Sequence, residues 1–166
     1  MFDNPMFYVF PLVMLVAGAM DMLTMTIPNR ICLALAAAFV VAAPLAGLPM
    51  DQIISHTLTG VAMLAIGIGM FSLGWMGGGD AKLLSAGALW VGSAHLLTFI
   101  THVTIAGGLL AITMLLYRMS PISAYPLPVW AHRLHKAGHG MPYGIAIAAG
   151  ALSVYPQLPW FLAFGS

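Results

Sequence analysis

Long apolar runs, separated by short breaks that contain polar residues, proline or glycine, dominate the chain. Six runs can be delimited: Met6 to Met22, Ile31 to Leu48, Thr57 to Leu73, Ala81 to Val91, Leu96 to Tyr117 and Met141 to Phe164. A helix needs about 20 apolar residues to cross a bilayer, and most runs approach that length. The pattern predicts an all-α, polytopic transmembrane helix bundle of about six spans, formed by one domain over residues 1–166.

The fourth run is short for a span. Ala81 to Val91 covers only about half a bilayer, so a span here must borrow residues from Gly77 or from the segment Gly92 to Leu96. Five spans is the alternative count.

Composition supports a fold built in lipid. Hydrophobic residues make up 61% of the 166 residues and charged residues only 5%, more apolar surface than a soluble domain of this size can bury. Asp3 but no Lys or Arg precedes the first run, which argues against a cleavable signal peptide, so we expect this run to remain a span. The sequence has no basic tail of the kind that would indicate nucleic acid as a partner. The lipid bilayer is the expected surrounding.

The basic residues predict the orientation. With six alternating spans, all five fall in connections on one side: Arg30, Lys82, Arg118, Arg133 and Lys136. By the positive-inside rule that side is the cytoplasm. Both termini, and the short link Pro49 to Ser55, are then expected outside, and the cytoplasmic loops are short.

Two of the four acidic residues need a functional explanation. Asp3 and Asp51 fall in exterior segments, where solvation is cheap, whereas Asp21 ends the first span and Asp80 begins the fourth. An aspartate at the centre of a membrane helix costs about 2.5–3.5 kcal/mol on insertion scales, so an intramembrane acid is a functional candidate by default. Both are expected near the cytoplasmic face.

Two carboxyl groups within a few ångströms share a proton and titrate as a unit. One can take a proton from a water that attacks a peptide carbonyl, while the other, protonated, polarises that carbonyl. Gly77, Gly78 and Gly79, which precede Asp80, have no side chains, so a substrate chain could approach their backbone closely.

Two motifs around Asp21 and Asp80 resemble those of a known protein family. Asp21 lies six residues before "IPN" (Ile27 to Asn29), and "GGGDAK" fits a Gly-x-Gly-Asp-x-Lys pattern, a combination similar to the type IV prepilin peptidases, integral-membrane aspartyl proteases of bacteria and archaea. The segment "MPYGIAIAAGAL", Met141 to Leu152, is similar to the Pro-Tyr-Gly segment that opens the last span of that family.

The resemblance implies a function and a set of site residues. Asp21 and Asp80 would be the catalytic pair, Gly77 and Gly79 the motif glycines, and Asn29 and Lys82 further candidates for substrate binding. The implied substrate is a prepilin or pseudopilin in the membrane, cut on the cytoplasmic side after the glycine that ends its short basic leader, which enables pilus assembly or secretion. Neither a metal nor a cofactor is implied, and the implied location is the bacterial cytoplasmic (inner) membrane, crossed several times.

One departure narrows the resemblance. Longer family members carry a cysteine-rich zinc segment near the N-terminus and also N-methylate their product, whereas Cys32 is alone here and the first connection is only a few residues long. The chain therefore looks like the compact Tad/Flp pilus peptidases, and methyltransferase activity is not expected.

The histidines have simpler interpretations than metal binding. His132, His135 and His139 are spaced so that one face of a short interfacial helix, Val129 to Ala137, could present them together. No carboxylate or cysteine lies nearby in the chain to complete a ligand set. His102, inside the fifth span, needs a hydrogen-bonding partner.

Two other functions compete with the protease. A small proton-coupled transporter would also use Asp21 and Asp80, with the glycines as a gating break, although ionisable groups nearer the membrane midplane would be expected of it. A noncatalytic membrane assembly partner would leave the cost of both acids unexplained.

Overall fold

The computed structural model of the chain describes residues 4–120, 128–135 and 140–165, and every regular element in these ranges is helical. The α-helices are α1 (Met6–Thr24), α2 (Asn29–Leu45), α3 (Met50–Ser72), α4 (Gly78–Met119), α5 (Val129–His135), α6 (Gly144–Val154) and α7 (Pro159–Gly165). A short 3-10 turn, Tyr155–Gln157, joins the last two. The predicted all-α fold is confirmed.

Several helices could cross a membrane. By length and composition α1, α3 and α4 qualify, and α6 with its 3-10 turn forms a further candidate together with α7, from which it is bent by 63°. Helix α2 is apolar but has only 17 residues. The structure is therefore that of a polytopic helix bundle.

Helix α4 reverses direction at Gly92. It has 42 residues and non-helical angles at Gly92 alone, φ 71° and ψ 172°. Twelve residues of straight helix span about 18 Å, yet Cζ of Phe99 lies 3.0 Å from the position that a Cβ on Gly87 would occupy. The helix thus consists of two arms folded back on each other, residues 78–91 and 93–119, which contain the fourth and fifth predicted runs.

Glycines let the two arms pack closely against different helices. The first arm lies on α3, where Gly67 leaves room for Ala81, since a Cβ on the glycine would be 2.9 Å from that of the alanine. The second arm lies on α6, where a Cβ on Gly150 would come within 2.5 Å of Val103. Helix α1 also packs on α6, so α6 connects the first helix with the second arm.

Two predicted segments differ from the structure. The prediction that Pro49 to Ser55 form a link between spans was wrong, because α3 begins at Met50. Pro49 is the extended N-cap of this helix. Asp51 lies in its first turn, where an acidic residue stabilises a helix. The last run, Met141 to Phe164, becomes helical only at Gly144 and breaks before α7. The short helix predicted over Val129 to Ala137 is present as α5, Val129–His135, and the two further predicted residues lie outside the described ranges.

Replacing Gly92 by alanine is expected to destabilise the fold. Its φ is left-handed, which costs a residue with a side chain about 1–3 kcal/mol, and a Cβ would lie 2.5 Å from Cε1 and Nε2 of His56. We expect Gly92→Ala to lower the thermal unfolding midpoint in detergent, measured by circular dichroism. Gly69→Ala is the matched control, because a Cβ there meets nothing within 4 Å. Equal midpoints for the two variants would contradict the proposed reversal at Gly92.

Candidate active site

A cavity of about 750 Å³ lies where α1 ends and α4 begins. Asp21, in the last turn of α1, and Asp80, in the first turn of α4, both line it. The two carboxyl groups are close enough for the charge of Asp21 to act on Asp80. The structure therefore brings together the two acids that the sequence singled out, although they lie on different helices.

The carboxyl group of Asp21 is held by the start of α6. Asp21 is buried, with 6% of its surface exposed, and the backbone N–H of Gly144 donates a hydrogen bond of 2.7 Å to its Oδ2. The first N–H groups of a helix lack partners within the helix and carry a partial positive charge, so they suit a carboxylate. A Cβ on Gly144 would lie 2.9 Å from both Cβ and Oδ2 of Asp21. Only glycine fits there without displacing the acid.

The carboxyl group of Asp80 turns back towards the beginning of its own helix. Gly77 is the N-cap of α4, and a Cβ on this glycine would lie 2.8 Å from Oδ2 of Asp80. The missing side chain leaves room for the carboxyl group near the free N–H groups of the first turn.

The three glycines before Asp80 have different surroundings. Gly77 lines the cavity. Gly78 and Gly79 are already helical, and Cβ atoms on them would lie 3.3 Å from the ring of Phe71 and 3.2 Å from Cβ of Ile27. Of the three predicted backbone contacts with substrate, Gly77 is therefore the one that faces the cavity, whereas its two neighbours pack against protein.

Ile27 connects the two segments that carry the carboxyl groups. It is buried, and its side chain contacts Gly79, next to Asp80, and also lies 3.0 Å from where a Cβ on Gly144 would stand. The turn between α1 and α2 thus packs between the start of α4 and the start of α6.

Asn29 and Lys82 lie outside the aspartate cavity. Nζ of Lys82 donates a hydrogen bond of 2.8 Å to Oδ1 of Asn29. Both residues line a second, mostly apolar cavity of about 420 Å³ between α2, α3 and the first arm of α4. Their bond ties the first residue of α2 to α4, so the structure pairs these two candidates with each other and not with the acids.

Two polar residues of the aspartate cavity were not predicted from the sequence. Arg133 lines it from α5 and donates a hydrogen bond of 3.3 Å to the carbonyl oxygen of Leu23, at the end of α1. Tyr143 lines it from the residue before α6. The Pro-Tyr-Gly segment was a signal for Tyr143, but it gave no indication of what the phenol faces.

The remaining lining is apolar and flexible. It includes Trp75, whose side chain is 74% exposed, and four methionines: Met25, Met70, Met76 and Met141. Methionine side chains adapt to irregular partners. The cavity thus combines two carboxyl groups with an adaptable apolar rim.

None of the histidines in the described part of the chain lines the aspartate cavity. Nδ1 of His102 is 2.7 Å from Oγ of Ser153, which satisfies the polar ring inside the second arm. His132 and His135 lie on α5, and His139 falls outside the described residues. No group of three potential metal ligands occurs in the described part of the chain.

Comparison with known proteins identifies one family. The sequence model of the group described as "Type IV leader peptidase family" matches residues 8–112, more than half of the chain. The matched part contains both aspartates, the "IPN" turn and the three glycines, and it ends before Arg133 and Tyr143. No curated protein and no solved structure matches the chain.

Replacing Gly144 by alanine is expected to destabilise the contact between α1 and α6. The new Cβ would collide with Asp21, and overpacking of this kind typically costs about 1–3 kcal/mol. We expect a lower thermal midpoint for Gly144→Ala than for Gly140→Ala, because the nearest atom of the described residues to a Cβ on Gly140 is Cε of Met25 at 3.8 Å. Identical midpoints for the two variants would contradict the tight contact between Gly144 and Asp21.

Proposed function

We propose, since this chain belongs to the type IV leader peptidase family, that residues 1–166 form one aspartyl endopeptidase domain with Asp21 and Asp80 as its catalytic pair. Its substrate is a prepilin or pseudopilin of the Flp type, whose short basic leader is removed at the cytoplasmic face of the inner membrane. The observation that carries the proposal is the meeting of the two carboxyl groups in one cavity.

The hydrogen bond from Gly144 suggests how the two acids divide the chemistry. Asp21 accepts a 2.7 Å hydrogen bond from the first N–H of α6, which favours its charged form, whereas Asp80 accepts a backbone bond from Gly77 but also lies near the charge of Asp21. We therefore assign Asp21 as the general base and Asp80 as the acid that carries the proton of the pair. Asp21 takes a proton from water as the water oxygen attacks the scissile carbonyl carbon. Asp80 donates a hydrogen bond to the carbonyl oxygen, on which negative charge develops.

Collapse of the tetrahedral intermediate completes the reaction. The proton that Asp21 has gained passes to the leaving nitrogen as the carbon–nitrogen bond breaks, which releases the leader with a new carboxyl terminus and the pilin with a free amine. Gly77 offers its backbone to the extended substrate, because it lines the cavity and has no side chain to obstruct it.

The described basic residues support the cytoplasmic orientation. Arg133 lines the aspartate cavity, Lys82 lies two residues after Asp80, and Arg30 lies at the start of α2. Arg118 donates hydrogen bonds of 3.0 Å to the carbonyl oxygens of Leu134 and Gly140, at the same end of the bundle. Basic residues gathered at one end favour the cytoplasmic side, which leaves both termini on the periplasmic side.

The first connection supports assignment to the compact class. Helix α1 ends at Thr24 and α2 begins at Asn29, so no zinc segment fits between them. Cys32 is buried within α2. We therefore propose proteolysis without N-methylation.

The proposal is tested by co-expressing the protein with a Flp-type prepilin and comparing Asp21→Asn and Asp80→Asn at matched membrane levels. Asparagine keeps the shape of the side chain but removes the titrating proton, so each variant is expected to lose roughly 10²–10⁴-fold in cleavage rate. Cleavage is followed by gel shift, and N-terminal sequencing of the product locates the cut after the leader glycine.

Asp51→Asn is the matched control, because Asp51 is exposed in the first turn of α3 and does not line the aspartate cavity. It should cleave like the wild type. Normal cleavage by either Asp21→Asn or Asp80→Asn would show that the substituted residue is not catalytic. That result would favour the transporter or the assembly-partner function.

A further inference from the structure

Tyr143 brings a phenol group into the aspartate cavity. It lies immediately before Gly144, whose N–H holds Asp21, and it lines the same cavity as Asp80. The backbone turn that fixes one carboxyl group therefore also directs an aromatic side chain towards the region of the other.

The position of the ring is set by a gap in the second arm of α4. A Cβ on Gly107 would overlap the phenol oxygen of Tyr143 and would lie 2.6 Å from Cε2 and 2.7 Å from Cζ. The ring thus occupies the space of a missing side chain. Gly108, the next residue, has nothing within 4 Å of an equivalent Cβ.

The phenol hydroxyl of Tyr143 has hydrogen-bonding capacity left for a ligand. Within the part of the chain that the structure describes, it makes no hydrogen bond, although the ring itself is half-buried. A tyrosine hydroxyl has an ordinary pKa of about 10, so it is a protonated donor at neutral pH. A peptide entering this cavity leaves water and needs donors for its carbonyl oxygens.

We propose that Tyr143 is a substrate-contacting residue, whose hydroxyl donates a hydrogen bond to a backbone carbonyl oxygen of the leader peptide beside the scissile bond. This inference rests on the proposed function. The bond positions the extended chain against Asp21 and Asp80, and Gly107 keeps the phenol at the required place.

The test compares Tyr143→Phe, Gly107→Ala and Gly108→Ala with the wild type, using purified protein in detergent and a synthetic prepilin peptide. Loss of one neutral hydrogen bond predicts about a 3- to 10-fold lower kcat/KM for Tyr143→Phe, mainly through a higher KM because the bond forms when substrate binds. Its thermal midpoint should equal that of the wild type, since the ring is retained.

The glycine pair tests how the phenol is held. Gly107→Ala displaces the ring and should lose at least as much kcat/KM as Tyr143→Phe, whereas Gly108→Ala, on the same arm, should cleave like the wild type. A wild-type kcat/KM for Tyr143→Phe would overturn the inference. A lower kcat/KM for Tyr143→Phe accompanied by a lower thermal midpoint than that of the wild type would also overturn the inference. The hydroxyl would then stabilise the fold and not contact substrate.

Failure of this inference is distinguishable from failure of the proposed function. If Asp21→Asn and Asp80→Asn are inactive while Tyr143→Phe cleaves like the wild type, only the role of Tyr143 is lost. If the aspartate variants cleave normally, the proposed function fails and the inference fails with it.

Discussion

The hydrogen bond from the N–H of Gly144 to Oδ2 of Asp21 is the interaction on which the site depends. A carboxylate inside an apolar bundle loses its hydration, at a cost of about 2.5–3.5 kcal/mol at the centre of a membrane helix on insertion scales. A charge-assisted hydrogen bond at a helix N-terminus offsets part of that cost. It requires α1 and α6 to approach within bonding distance, which is possible only because residue 144 has no side chain. This polar contact is therefore one of those that hold the first helix against α6.

The reversal of α4 brings the second carboxyl group to the same place. The first arm begins with Asp80 and packs on α3, while the second arm returns along α6 and reaches Tyr143 at Gly107. Because both arms belong to one hairpin, the start of α4 and the start of α6 lie at the same end of the bundle. Ile27 fills the space between them. The relative position of the two acids is therefore set by backbone contacts and one buried aliphatic side chain.

The helices were predicted well from the sequence, and the two acids that it singled out line one cavity, because both signals are local. Apolar run length predicted the helical segments, and the cost of burying charge singled out Asp21 and Asp80. The prediction of a link from Pro49 to Ser55 was wrong, because proline stops a preceding helix but is compatible with the start of the next one. Arg133 and Tyr143 could not be predicted as cavity residues, since their place depends on how α5 and α6 dock against distant segments. The pairing of Asn29 with Lys82 was missed for the same reason.

The motif that suggested the family divides into two physical roles. Asp21 and Asp80 face the cavity with Gly77, while Ile27, Gly78 and Gly79 pack inside the protein and Asn29 binds Lys82. Most of the motif therefore specifies how helices approach one another, and few of its residues can take part in chemistry. The surrounding rim differs, because its methionines are only partly buried and Trp75 is exposed, so these side chains can adjust to a partner. Two carboxyl groups positioned by packed helices beneath an adaptable apolar rim suit a peptidase, which must align one peptide bond while it accommodates the varied side chains on either side of that bond.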